Sequence, residues 1–215
     1  MITLHGVMLS PFVRKTMLCL AVKELDYQHI TAIPGQFDED FQQISPLRKI
    51  PALVDGDFAI ADSSVIAEYL DDRYDGPALL PTTAEQRAQA RWLMNFAGDA
   101  LASVALDIIY FQRVLQPLLY SQTTDEARVQ KAIEQQMPPL LDYLEQVAPA
   151  TGLLFAQLSV ADISLASIFI SLGQAQYQVD EQRWPQLHAY LQRLNEQPLI
   201  IEQMAKEQAF VASWG

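Results

Sequence analysis

No convincing strand pattern appears after residue 83, whereas the first 75 residues switch repeatedly between short strand and helix signals. Ile2 to His5 reads as a strand. Ser10-Pro11 then announces a helix, because serine is a favoured N-cap and proline a favoured first helical residue. Val13, Met17, Leu20 and Ala21 give that helix one apolar face. Tyr27 to Thr31 suits a second strand, and Phe37 to Ile44 a short acidic helix. Two apolar runs, 52–54 and 58–60, flank Asp55-Gly56-Asp57 and predict a hairpin. Asp62-Ser63-Ser64 caps a further helix with Val65, Ile66, Tyr69 and Leu70 inward. The order β-α-β-α-β-β-α predicts a small mixed sheet with helices packed on it.

Residues 75–83, DGPALLPTT, carry two prolines and a glycine and read as a connection. Beyond it a long helix runs from Ala84 towards Leu119, with Leu93, Phe96, Ala100, Val104, Ile108, Phe111 and Leu115 on one side. Pro117 is expected to end or kink it. Asp125 to Val147 is helical around a disturbing Pro138-Pro139, and Ser159 to Gly173, Pro185 to Asn195 and Pro198 to Gln208 complete the set. The fold class is therefore α+β. Residues 1–76 form a mixed domain, 77–83 a linker and 84–215 an all-helical domain.

The net charge of −12 argues against nucleic acid, since a duplex binder needs basic surface to displace phosphate counterions. Cys19 is the single cysteine, so no disulfide forms within the chain, which fits a reducing compartment. His5, His29 and His188 have no metal-ligand spacing, and no glycine-rich phosphate loop is present. The N-terminus has no signal-peptide pattern. The most apolar stretch, Ile163 to Leu172, falls short of the roughly 20 residues that span a bilayer. The expectation is a soluble cytoplasmic protein that uses neither membrane nor metal.

Three segments carry chemistry, and each has two readings. Ser10 sits where a strand hands over to a helix, and a helix N-terminus favours an anion such as a thiolate. A hydroxyl aimed at that sulfur would lower the thiol pKa. Alternatively Ser10 is a plain N-cap, with Arg14 and Lys15 on a solvated face. Pro51 leads into a strand, where it cannot donate to the ladder. A cis Ile50–Pro51 bond would free the Ile50 backbone to pair with an extended peptide; a trans proline that merely starts the strand is the other reading. Asp62-Ser63-Ser64 offers helix N–H groups for a carboxylate and an Asp for an ammonium, the two charges of an amino-acid head group, or else simple capping.

Taken in order, SPFVRK at 10–15, KIPALVDG at 49–56, ADSSVIAEYL at 61–70 and LSVADIS at 158–164 resemble the soluble glutathione transferase family over essentially the whole chain. The resemblance implies a thioredoxin-like domain followed by a helical one, glutathione as cosubstrate, a serine-type site and a homodimer. It implies that Ser10 stabilises the glutathione thiolate and that Ile50, before a cis Pro51, pairs with the cysteinyl backbone. Asp62 and Ser63 would hold the γ-glutamyl charges, and Lys49, or Arg48, would approach the glycine carboxylate. The expected reaction is conjugation of the thiolate to a hydrophobic electrophile, as in detoxification. Isomerisation, dehalogenation and peroxide reduction belong to the same class. Tyr110 and Phe111 are candidates to line the acceptor pocket. The alternative is a non-catalytic glutathione-binding or regulatory protein on the same scaffold.

The segment 158–163 also reads as a structural device. Ser159 caps a helix, Asp162 reaches back to the Ser159 N–H, and Leu158 and Ile163 can staple the entry. Two departures stand out. Many relatives carry a glycine-aspartate pair before this motif, where the chain has Ala156-Gln157. A redox relative would place C-x-x-C at 10–13, and its absence excludes a dithiol cycle there. Cys19 reads as a small buried side chain.

Overall fold

The structure, a computed structural model, describes residues 1–37 and 39–213. Strand β1 (Ile2–His5) leads to helix α1 (Pro11–Val22), β2 (Tyr27–Ile30), the short α2 (Glu39–Ile44), the hairpin β3 (Ala52–Asp55) and β4 (Phe58–Ala61), and α3 (Ser63–Arg73). The sheet order is β2-β1-β3-β4. β1 runs parallel to β2 and antiparallel to β3, with Leu4 opposite Leu53. Both leucines are fully buried, so this register sets the core face of the sheet.

The sequence pattern places α1 correctly but misjudges its faces. Nearly the whole helix is buried, because it packs against α3 and against two helices from later in the chain. Arg14 is 0% exposed and Lys15 4%, which excludes the solvated-face reading. In α3, Ile66, Ala67 and Leu70 face inward, whereas Val65 is half exposed, contrary to its expected burial.

Among the described residues no strand follows Ala61. Helix α4 (Ala84–Tyr120) is followed by α5 (residues 126–147), α6 (Val160–Gln174), α7 (Pro185–Asn195) and α8 (Pro198–Ala212). Helix α4 contains wide π-type turns over Ala97–Leu101 and Ala105–Leu115. Where wide turns alternate with α-helical ones, about four residues complete a turn on average, so residues four apart stay on one face. The buried stripe accordingly runs through Leu93, Ala97, Leu101, Ala105 and Ile109. The stripe expected from an ideal helix falls out of phase here: Ala100, Ile108, Phe111 and Leu115 are only partly buried. Pro117 does not stop the helix, because it occupies the first turn of the α-helical segment that follows the wide turns. A similar π-type segment, Ala132–Gln136, precedes Pro138-Pro139 in α5.

Helix α4, rather than Ile163 to Leu172, is the long apolar element among the described residues. By length and composition it could cross a membrane, with a mean hydropathy of 1.3 over its most apolar window. Of that window 56% is buried inside the fold, as in a core helix. Its apolar residues are spaced around charged ones, so no continuous run marks it in the sequence.

The start of α6 carries the expected capping box, with Ser159 and Asp162 each accepting a backbone N–H from the other residue. The buried Asp162 also accepts from the Leu154 N–H at 3.0 Å and the Tyr190 hydroxyl at 2.7 Å. In the loop before it, Gln157 donates to the Ala78 carbonyl at 2.7 Å, tying the departure at 156–157 to the connecting segment.

Candidate functional site

Ser10 occupies the N-cap position of α1 with extended backbone angles (φ −68°, ψ 128°), yet its side chain does not cap the helix. An N-cap hydroxyl ordinarily accepts from the second or third helical N–H, here Phe12 or Val13, and Ser10 accepts from neither. The half-buried Ser10 hydroxyl therefore stands at a helix N-terminus without performing the usual N-cap bond. The plain-cap reading loses its hydrogen bond, and the anion-seat reading keeps its donor.

The Ile50–Pro51 peptide is cis. Ile50 lies outside the paired register of β3, which begins with Ala52 opposite His5. Its side chain packs beside Gly6, at the exit of β1. A Cβ at Gly6 would stand 2.4 Å from Val13 Cγ2 and 3.4 Å from Ile50 Cβ. The missing side chain lets the strand end, α1 and the proline loop approach one another.

Asp62 is the N-cap of α3 with φ 79°, a conformation that costs an aspartate on the order of 1–3 kcal/mol. Its Oδ1 accepts from the Ser64 N–H at 2.8 Å and the Val65 N–H at 3.1 Å. Ser63, 5% exposed, is the first residue of the helix. One carboxylate oxygen thus caps the helix, and the other takes no part in that cap. Lys15 Nζ donates to Ser64 Oγ at 2.8 Å and joins the helix that begins after Ser10 to the helix that begins after Asp62. Burial lowers the Lys15 pKa to about 8, partly offset by the neighbouring Cys19 and Asp62.

The basic candidates behave differently. Lys49 is exposed, and Ser45 Oγ holds its backbone by accepting from the Lys49 N–H at 3.1 Å and donating to the Lys49 carbonyl at 2.7 Å. Arg48 has φ 52° and donates to the Phe37 carbonyl at 3.0 Å. Cys19 is fully buried and burial pushes its thiol up to about 12, which fits its reading as a packing residue.

Tyr110 is 4% exposed and Phe111 half-buried, with its ring 6.2 Å from that of Tyr120. Neither lines the open cleft of about 580 Å³ between α6 and α8. That cleft includes Leu9, the residue before Ser10, together with Phe169, Met204 and Val211. Beside it lies an interaction that sequence reasoning missed. Arg14 Nε and Nη2 donate to the Glu207 carboxylate at 2.6 and 2.7 Å, and Nη1 donates to the Ser167 carbonyl and Ser171 Oγ. The available signal was that α1 is apolar on every side, which leaves its two cations no solvated face.

Residues 4–78 match the family model for the glutathione S-transferase N-terminal domain, and residues 122–193 the model for the C-terminal domain. "Glutathione S-transferase Z1" of Arabidopsis thaliana is 45% identical over 82 residues, 37% of each chain. The chain thus aligns with little more than a third of that relative's length. "Glutathione S-transferase 1" of Manduca sexta is 24% identical over 199 residues, covering 90% of this chain and 88% of that one. Among solved structures, a glutathione S-transferase from Rhodospirillum rubrum F11 superposes with a TM-score of 0.82 at 25% identity. It covers 93% of this chain and 90% of its own. Glutathione Transferase E6 from Drosophila melanogaster gives 0.79 at 27% identity, over 96% and 92%.

Proposed function

The chain belongs to the glutathione S-transferase family, and from that premise we propose that it binds glutathione at the starts of α1 and α3 and transfers its thiolate to an apolar electrophile. The observation that carries this reading is the Ser10 hydroxyl: it stands at the N-terminus of α1 without capping it. A donor and a helix dipole acting on the same sulfur favour its ionised form. Ile50, held by the cis bond, offers its backbone to the cysteinyl unit. Asp62 receives the γ-glutamyl ammonium, Ser63 and the α3 N-terminus receive the carboxylate, and the exposed Lys49 approaches the glycine carboxylate. Arg48 is a weaker partner, since its guanidinium already serves Phe37.

The step needs no covalent enzyme intermediate. The thiolate attacks the electrophilic carbon and forms an S–C bond; a leaving group departs with its electron pair, or the adjacent carbon takes up a proton. The protein contributes proximity and a lowered thiol pKa. The apolar partner sits in the cleft that begins at Leu9, and Phe111 is the remaining candidate from α4.

The same reading proposes a boundary near residues 77–83, cytoplasmic location, a role in detoxification and a homodimer. Exposed Phe58, Val65 and Trp92 supply apolar surface for a second copy. The test is turnover with a panel of apolar electrophiles beside calorimetric glutathione binding, in the wild type and Ser10→Ala. The reading expects turnover to fall on the order of a hundredfold while affinity changes little. Binding without turnover in the wild type would favour a regulatory scaffold.

A further inference from the structure

Lys15 is a buried ammonium with one hydrogen bond, to Ser64 Oγ at 2.8 Å, and no carboxylate within ion-pair distance among the described residues. The other buried cations differ. Arg14 is paired with Glu207, and Lys23 lies 3.6 Å from Asp71. A buried charge left unpaired is costly, so its retention needs a compensating anion. On the far side of Lys15 the surroundings are neutral: Met94, Ala97 and Gly98 from α4, and Ser164, Ser167 and Ile168 from α6. On its near side are the first turn of α3 and Asp62, and on its own helix the buried, protonated Cys19. Asp62 already spends one oxygen on the Ser64 and Val65 amides.

We propose that Lys15 is a positioning residue for the anionic end of the bound peptide, registering the start of α3 against α1 and supplying from beneath the positive charge that a carboxylate at Ser63 and Ser64 requires. This rests on the proposed glutathione reading and names a residue that does not itself touch the ligand. It joins the two helix starts through a single bond, so a carboxylate docked on α3 and a thiolate docked on α1 are held at a fixed separation. Because burial brings its pKa to about 8, the ammonium is mostly present at neutral pH and is lost as the pH rises above that value. A ligand carboxylate favours the charged form, so binding takes up protons in this range.

The test compares wild type, Lys15→Met and Lys15→Arg, using S-methylglutathione so that no thiol titrates. Binding is measured by calorimetry at pH 7 and pH 8.5. Lys15→Met should bind on the order of tenfold more weakly at pH 7 while unfolding at an equal or higher temperature, which separates the role from a merely structural one. Lys15→Arg should restore affinity and show a flatter pH dependence than wild type, since arginine stays charged and both proteins share the titration of the ligand's own amine. If both variants bind as the wild type does with the same pH profile, the proposal is overturned. If Lys15→Met does not fold, the comparison of wild type with Lys15→Arg still decides: identical pH profiles overturn it. A wild type that fails to bind S-methylglutathione would instead remove the glutathione reading itself.

Discussion

Arg14 and Glu207, 193 residues apart, form a two-point ion pair at 2.6 and 2.7 Å with both side chains buried. It joins the helix that begins beyond Ser10 to the last helix of the chain. Glu207→Ala leaves the guanidinium buried with only Ser167 and Ser171, and unfolding in denaturant should show a loss of about 3–5 kcal/mol. Replacing both partners, Arg14→Leu with Glu207→Leu, should recover most of that loss. A double variant as unstable as the single one would show that the pair carries more than its own charge balance.

Asp162 accepts four hydrogen bonds, from the Ser159 amide and hydroxyl, the Leu154 amide and the Tyr190 hydroxyl. Asp162→Ala strands several buried donors at once, so the cost should reach about 3 kcal/mol or more, above the roughly 1 kcal/mol of an ordinary cap. Thermal and denaturant unfolding check this. Residual folded protein should keep its glutathione affinity, because Asp162 lies at the start of α6 and outside the candidate site.

The buried ammonium of Lys15 also makes a prediction about stability. Its pKa is lowered from 10.5 to about 8 in the folded chain. Between those values the unfolded chain holds more protons than the folded one, so stability rises with pH. Below pH 8 the full penalty is present, on the order of 3 kcal/mol. Lys15→Met should therefore be more stable than wild type at pH 7, and the gap should narrow towards pH 10. A gap independent of pH would show that burial does not depress this lysine.

Gly173 lines the cleft beside Leu9, and a Cβ built there meets nothing within 4 Å. Gly173→Phe should fill the cleft without disturbing α6. The expected result is a several-fold rise in KM for an apolar electrophile with glutathione affinity unchanged. An unchanged KM would move the acceptor site towards Phe111.

Local chemistry made much of the fold legible. Ser10-Pro11, the turn at Gly56 and the Ser159–Asp162 box are short-range signals, and each element appears where its residues place it. What escaped the sequence depends on distant partners. Arg14 and Lys15 look like surface residues until α3, α6 and α8 close over α1. The inward face of α4 could not be phased, because its wide turns change the period from residue 97 onward. Ser10, Ile50 and Asp62 stand out as candidate site residues only through their order in the chain. Lys15, which bonds the start of α3 to α1 through Ser64, carries no motif of its own.

The proposed seat of the glutathione sulfur, held as a thiolate under the Ser10 hydroxyl, is the start of α1. It is tested most directly by following the ultraviolet thiolate absorbance of bound glutathione against pH, in wild type and Ser10→Ala. The wild-type complex should show a thiol pKa well below the value of about 8.5 for a free cysteine thiol, and the variant a return towards that value. The same thiol pKa in both complexes would contradict it.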